Sequence, residues 1–408
     1  MRLNLSSLLV LTLSVAGGEC AWPNGPFVGK DRWIHTSLGK NVTYAGVNWP
    51  GAADVMIPEG LQHQSIVNIV SAIKSLGMNA IRLTFAIEMI DDILDNGGDV
   101  KLSDAFKKAL GPTNGTKVYE QVLQKNPQFS AETTRLQVFD AVAAECLNQN
   151  IYVHLDNHIS SGQWCCGGAD GNTWFGDTKF DINKWKRGLE YMVKHGKNWV
   201  ALTSIGMRNE LRKPTNNDAL LATYNWKTWY DNMVDASKVI NHANPDILIF
   251  FSGLNYDTTL KPVVEGTDLG SGVVFRKSDF SYADKIVLEL HNYQGSIDTC
   301  DALKGSLNNN GFNTLSGTQA NTFPILLTEW GHNQEDNSGA SVYATCLRSY
   351  LPEMKAGWFY WPVAGGYYIR NGQQNSEDVW GLYNYDWTAW RNDTNIAELK
   401  KAVAATLA

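Results

Sequence analysis

The chain has 408 residues, 44% of them hydrophobic, and a formal net charge of −7. That length and apolar content allow a large buried core in one or two domains. The acidic balance, with 34 Lys and Arg residues scattered rather than clustered, argues against a polyanion-binding surface, so no nucleic-acid partner is expected.

Residues Met1–Gly18 carry one positive charge, an apolar run and then small residues. The run is shorter than the roughly 20 apolar residues needed to cross a bilayer. It reads as a secretory signal over residues 1–18, leaving residues 19–408 as a single domain. The mature protein is expected to be secreted, extracellular, monomeric and free of the membrane after cleavage. Export makes Cys20, Cys146, Cys165, Cys166, Cys300 and Cys346 disulfide candidates, and no zinc-type spacing occurs among them. Cys165 and Cys166, being adjacent, are each expected to bond elsewhere than to the other. Cys146 falls on the apolar face of a predicted helix and suits a buried free thiol. Asn41, Asn114 and Asn392 open possible glycosylation sequons.

In chain order, Asn41–Trp49 reads as a strand, and Ile66, Ile69, Val70, Ile73 and Leu76 as a helix face stopped by Gly77. Met78–Thr84 is a second strand with Arg82 inside it. A long polar excursion follows to about residue 134, and then Leu136, Phe139, Val142 and Cys146 mark a helix. Ile151–Asp156 is the third strand, followed by a loop rich in Gly, Trp and Cys to Asp177. A helix carries Ile182, Trp185, Leu189 and Met192 on one face. The fourth strand runs into Ser204–Arg212, with a helix over Asp218–Asn241 after it. Ile247–Phe251, Lys285–His291, Ile325–Glu329 and Gly357–Trp361 are the remaining strands. Helices are expected near Ser341–Tyr350 and from Asn395 to about Thr406.

Continuous apolar strands alternating with helices, and no hairpin pattern, imply parallel strands buried on both faces. Eight such units fit an α/β fold of the (β/α)8 TIM-barrel type. No Gly-rich phosphate fingerprint follows the first strand, which disfavours an open doubly wound sheet. An ordinary barrel takes about 250 residues, so the surplus is assigned to long loops after strands two, three, five, six and eight.

The polar residues then fall in a pattern. Arg82, His158, Asn209, Glu210, His291, Tyr293, Glu329 and Trp361 all sit late in strands or just past them, where a barrel projects them to one rim. Glycosidic cleavage with retention needs a nucleophilic carboxylate and an acid/base carboxyl about 5 Å apart. Strands four and seven can supply Glu210 and Glu329 from opposite sides of the mouth. Arg82 beside Glu329 favours an ionised nucleophile, and a partly buried Glu210 stays protonated to donate. Asn209 suits the 2-hydroxyl of the sugar, Tyr293 the nucleophile, His291 the acid/base, and Trp361 a platform beneath the ring. Trp49, Trp164, Trp174 and Trp330 are further candidate sugar platforms. Arg208 and Arg212 read as structural or rim charges. No metal or cofactor is needed for these roles.

The elements Asn-Ala-Ile-Arg82-Leu, Leu-Asp-Asn-His158, Arg-Asn209-Glu210, His291-Asn-Tyr293, Thr-Glu329-Trp and Trp358-Phe-Tyr-Trp361 occur in that order along the chain. Together the sequence resembles the family 5 glycoside hydrolases, the cellulase family among the retaining (β/α)8 enzymes, in a secreted eukaryotic branch. The resemblance implies Glu210 as acid/base, Glu329 as nucleophile and a β-linked polysaccharide or oligosaccharide as substrate. An endo-β-1,4-glucanase-like activity is the leading expectation. The alternatives are a mannanase, a β-1,3- or β-1,6-glycanase, an exo-glycosidase, or a non-catalytic carbohydrate-binding protein that keeps the Trp platforms. A metal site at His154, Asp156 and His158 lacks an obvious third facing ligand. A serine esterase lacks its Gly-x-Ser-x-Gly elbow.

Overall fold

The computed structural model describes residues 22–408; the expected signal segment and Cys20 lie outside the described residues. Eight parallel strands close into a barrel in sequence order: β1 (Ala45–Trp49), β2 (Ala80–Ala86), β3 (Tyr152–Ile159), β4 (Leu202–Gly206), β5 (Leu248–Phe251), β6 (Ile286–His291), β7 (Ile325–Trp330) and β8 (Gly357–Tyr360). β8 pairs with β1, which completes the circle. The expected (β/α)8 architecture is what forms. Almost every strand residue is buried, as it must be between a filled interior and an outer helical layer.

Strand alternation splits the interior into two zones. Leu248, Phe250, Val287, Leu326 and Phe359 point inward at the amino-terminal end and pack with Phe27, Ile34 and Tyr44. That end is sealed by a three-stranded antiparallel sheet, Val28–Lys30, Trp33–His35 and Asn41–Val42. The Lys285 ammonium, hydrogen-bonded to the Phe27 carbonyl, ties the sheet to the start of β6. Toward the carboxyl end the inward positions become polar: Arg82, His154, Asp156 and Glu289 are all fully buried there.

Local sequence explains the helical layer. Ser65 caps Ile66–Ser75, Asp181 caps Ile182–His195 and Ser341 caps Val342–Glu353, each by accepting a backbone N–H of the first turn. The helix expected over Asp218–Asn241 divides into Asp218–Leu221 and Trp226–Ala243, because Asn225 takes an extended conformation and caps the second piece. The excursion expected as polar loop to residue 134 is largely helical: Ile87–Asp95, Leu102–Leu110 and Pro112–Lys125, which bury narrow stripes such as Ala105, Phe106 and Leu110. The connection after β6 is short, since a helix begins at Cys300.

Two hairpin elements depart from the expected uninterrupted alternation. One is the amino-terminal sheet. The other is Gly366–Arg370 paired with Gln373–Glu377, inserted after β8. Their strands are only two to five residues long, too short to leave a periodic signature.

The cysteine expectation is corrected. Cys165 and Cys166 are bonded to each other. Cys300 and Cys346 form the second bridge, and Cys146 is a buried free thiol, so no other described cysteine is left for them. Of the sequon residues, Asn41 is exposed, whereas the Asn392 amide donates to the Gln334 carbonyl while its oxygen caps the last helix, Asp393–Leu407. No described helix is long and apolar enough to cross a membrane.

Candidate active site

Arg82 is the hub of the polar zone. Its register in β2, paired with Asn48 on one side and His154 on the other, turns it inward. One guanidinium nitrogen donates to Asn48 Oδ1 at 2.8 Å and to Glu329 Oε1 at 2.7 Å. The other donates to Asn209 Oδ1 at 2.9 Å and lies 3.0 Å from Asp156. A fully buried charge with that many acceptors holds four strand ends in one geometry. Arg82 is held well above its ordinary range: burial acts against it, but the Asp156 and Glu329 carboxylates outweigh burial.

Glu329 ends β7 with its two oxygens divided. Oε1 takes the Arg82 bond, and Oε2 accepts from the Tyr293 hydroxyl at 2.8 Å. Glu210 stands opposite. One of its carboxylate oxygens, one of Glu329's and a His291 ring nitrogen all lie within 4.8 Å of one another. His291 Nδ1 is 3.0 Å from Glu210 Oε1 and 3.6 Å from Glu329 Oε2. Burial brings the His291 pKa down to about 4, so the imidazole is neutral near neutral pH. Burial also raises Glu210 above an ordinary carboxyl, against the opposing pull of Arg212, His158 and Arg82.

The backbone at Glu210 is unusual. Its φ of +47° is left-handed, a region a glutamate rarely adopts. Asp257, in the loop after β5, accepts the Glu210 N–H at 2.7 Å, and Arg212 donates to the Glu210 carbonyl at 2.8 Å. Arg212 is itself paired with Asp170 at 2.6 Å. Arg208 donates to Ser160 Oγ and the Asn172 carbonyl and lies over the Phe180 ring. Both arginines are thus buried scaffolding, as expected.

The remaining rim residues form a wall. His158 is hydrogen-bonded to Asp156 at 2.8 Å and stacks face to face on Trp361, centroids 5.3 Å apart with planes 2° from parallel. His154 points into the barrel instead, bonded to Ser204 and packed on Phe250, so the alternative metal trio does not converge. Trp164 packs edge-on to Tyr367 and beneath the Arg370 guanidinium. A cavity of about 240 Å³ lies among Glu210, Glu329, Trp361, Trp164, Arg370 and Trp380.

All eight expected rim residues, with Trp164, therefore converge. Trp49, Trp174 and Trp330 do not, and as platforms they are corrected. Each is fully buried: the Trp49 indole donates to the Glu59 carbonyl, that of Trp174 to Thr223, and Trp330 packs against Trp358 and Tyr360. Unforeseen contributors are Asp257, Arg370, Asp378 and Trp380, together with the bond that joins Cys165 to Cys166 at the cavity. Asp257 follows Asn255 and Tyr256, all three with positive φ, a turn-forming cluster just past β5 that could have marked it. Arg370, Asp378 and Trp380 depend on the unforeseen hairpin and had no local signal.

Comparison with known proteins agrees with this geometry. A cellulase profile (glycosyl hydrolase family 5) matches residues 40–365. A glycosyl hydrolase 5 family protein of Chamaecyparis obtusa is 29% identical over 98% of this chain and 69% of its own length. In three dimensions the chain is similar to the catalytic domain of the major Xanthomonas campestris pv. campestris endoglucanase, with TM-score 0.67 and 19% identity over 93% of this chain and 99% of that one. It is also similar to a Pyrococcus horikoshii endocellulase solved with cellotetraose, with TM-score 0.69 and 17% identity over 93% and 99%. With the family profile spanning most of the barrel and both carboxylates facing each other across its mouth, the chain belongs to the cellulase family, glycosyl hydrolase family 5, and is a glycosidase acting on O-glycosyl bonds.

Proposed function

We propose that the protein is a secreted β-glycanase that cleaves with retention of configuration, most closely of the endo-β-1,4-glucanase kind. The observation that carries the reading is the approach of one Glu210 oxygen and one Glu329 oxygen to within 4.8 Å, in keeping with the roughly 5 Å separation of retaining enzymes and not the wider gap, roughly 6.5–9.5 Å, of inverting ones. In the first step Glu210 donates its proton to the glycosidic oxygen while Glu329 attacks the anomeric carbon. In the second, Glu210 takes a proton from water, which displaces Glu329. Tyr293 and Arg82 hold the nucleophile's two oxygens, and the Asn209 amide, fixed through its oxygen by Arg82 and with its nitrogen against the Cys165 and Cys166 sulfurs, lines the cavity where it can donate to the 2-hydroxyl. Trp361, braced by His158, offers the sugar a flat face.

Preference for β-1,4-glucan draws support from the endocellulase and endoglucanase names of the structural relatives. Secretion draws support from the two disulfides and the leader-like first residues. Reducing-end release from β-1,4-, β-1,3- and β-1,6-glucans, β-mannan and aryl β-glycosides, with the product anomer followed by NMR, tests the proposal. Internal cleavage of a β-1,4-glucan to the β-anomer is expected. An inverted product refutes the mechanism, and activity confined to small aryl glycosides refutes endo action.

A further inference from the structure

The loop after β3 brings to the cleft an element the two-carboxylate chemistry does not use. The bonded pair Cys165–Cys166 lines the catalytic cavity beside Trp164. Both sulfurs and a Glu210 carboxylate oxygen lie within 4.8 Å of one another. The Asn209 amide nitrogen is 3.7 Å from one sulfur and 3.6 Å from the other. A proton donor must touch the glycosidic oxygen, so a group this close to Glu210 and facing the cavity lies against one of the two sugars joined by that bond. A disulfide has no N–H or O–H to offer and its sulfurs are only weak acceptors, so its main contact with a sugar is through the ring's C–H face. Trp164 and Cys166 also line a neighbouring cavity of about 490 Å³, whose other walls include Asp54, Gln163 and Asn371. Trp164 and Cys166 are thus the shared edge between the two cavities, with Cys165 on the catalytic side.

We propose that the Cys165–Cys166 disulfide is a substrate platform: with Trp164 it forms an apolar saddle over which the glycan passes from the catalytic cavity into the neighbouring one. The inference rests on the β-glycanase reading. Closing the two side chains into one ring leaves no rotors to freeze, so contact with sugar costs little entropy. The sulfurs also shield one side of the Glu210 carboxyl from water, in keeping with the burial that raises its pKa. Trp164 is held for the same task from the other side by Arg370 at 3.9 Å and by the edge of Tyr367.

The test uses the full mature enzyme and two substrates: the β-linked hexasaccharide it cleaves fastest, and an aryl β-glycoside of the same sugar. Cys165→Ala/Cys166→Ala is expected to lower kcat/KM on the hexasaccharide by about tenfold, mostly through KM, and on the aryl glycoside by several-fold less. Reducing the folded wild type with a phosphine, with released thiols titrated, should reproduce that loss. It should do so equally in Cys300→Ala/Cys346→Ala, which separates the two bridges. A wild-type KM on the hexasaccharide in the double variant, or equal losses on both substrates, overturns the platform and leaves the β-glycanase reading intact. If the double variant does not fold, an unchanged KM in the fully reduced wild type overturns it. Failure of the wild type to cleave any β-linked glycan overturns the proposed function and the platform together.

Discussion

Arg82 and the two glutamates make the most direct claims at the scale of single residues. Glu329→Ala removes the attacking group, and turnover should fall by about 10⁴-fold or more. Glu210→Ala should be partly rescued by azide on an activated aryl substrate, with retained configuration; no rescue would argue that Glu210 is not the acid/base. Arg82→Lys keeps a charge but loses the fork that reaches Asn48, Glu329 and Asn209 together, so kcat should drop by about 100-fold or more with a smaller change in KM. Glu289 makes a different claim. It lies beneath the site, fully buried beside Arg82, Asp156 and Thr328. Burial raises its pKa from 4.5 to about 7, with Arg82 opposing and Asp156 adding to the rise. The folded state therefore holds this proton more tightly than the unfolded chain, and the associated stability is full below pH 4.5 and lost as pH rises through about 7. Glu289→Gln should lessen the stability loss between pH 5 and 8, read from denaturant curves at each pH. Parallel curves for the two proteins would contradict it.

Strand ends and the loops that brace them act at the scale of elements. β4 delivers Glu210 only because its chain turns left-handed there, a conformation costing on the order of 1–3 kcal/mol in a residue with a side chain. Asp257 from the loop after β5 and Arg212 from beyond β4 clamp that peptide from both sides. Asp257→Ala frees the Glu210 N–H and should reduce kcat by about 10- to 100-fold with KM nearly unchanged, a split that steady-state kinetics can read. Inside β4, Gly206 is needed for space: a Cβ there would come 3.0 Å from Asp156 Oδ1 and 3.3 Å from both Glu289 Oε1 and His154 Nε2. Gly206→Ala is expected to destabilise by about 1–3 kcal/mol in thermal or urea unfolding.

For the whole molecule, the barrel divides its work between its ends. The amino-terminal end is plugged by Phe27, Ile34 and Tyr44 from the added sheet, while the carboxyl-terminal end is left polar for chemistry. Distant connections fix the outer layer. The Cys300–Cys346 bridge joins the helix after β6 to the helix after β7 across 46 residues. Cys300→Ala/Cys346→Ala should lower unfolding free energy by about 2–4 kcal/mol, seen as a shifted denaturant midpoint. Since the bridge does not touch the cleft, kcat should hold at temperatures where the variant is folded.

The barrel strands, their order and the eight converging rim residues are legible in the sequence because each rests on local pattern. A buried parallel strand is a short apolar run, and its functional residue follows at the carboxyl end whatever the rest of the chain does. Arg82, Glu210 and Glu329 could be paired on paper because closure of eight strands leaves little choice of who faces whom. Tertiary structure alone decided which tryptophans touch the cleft. Trp49, Trp174 and Trp330 have the same composition signal as Trp164 and Trp361, and only packing separates an indole spent in the core from one facing sugar. It likewise decided that two adjacent cysteines join each other, that Asp257 holds Glu210, and that a short hairpin after β8 carries Arg370 over Trp164. Those contacts link segments far apart in the chain, and nothing in local periodicity encodes a distance between segments that meet only once the barrel has closed.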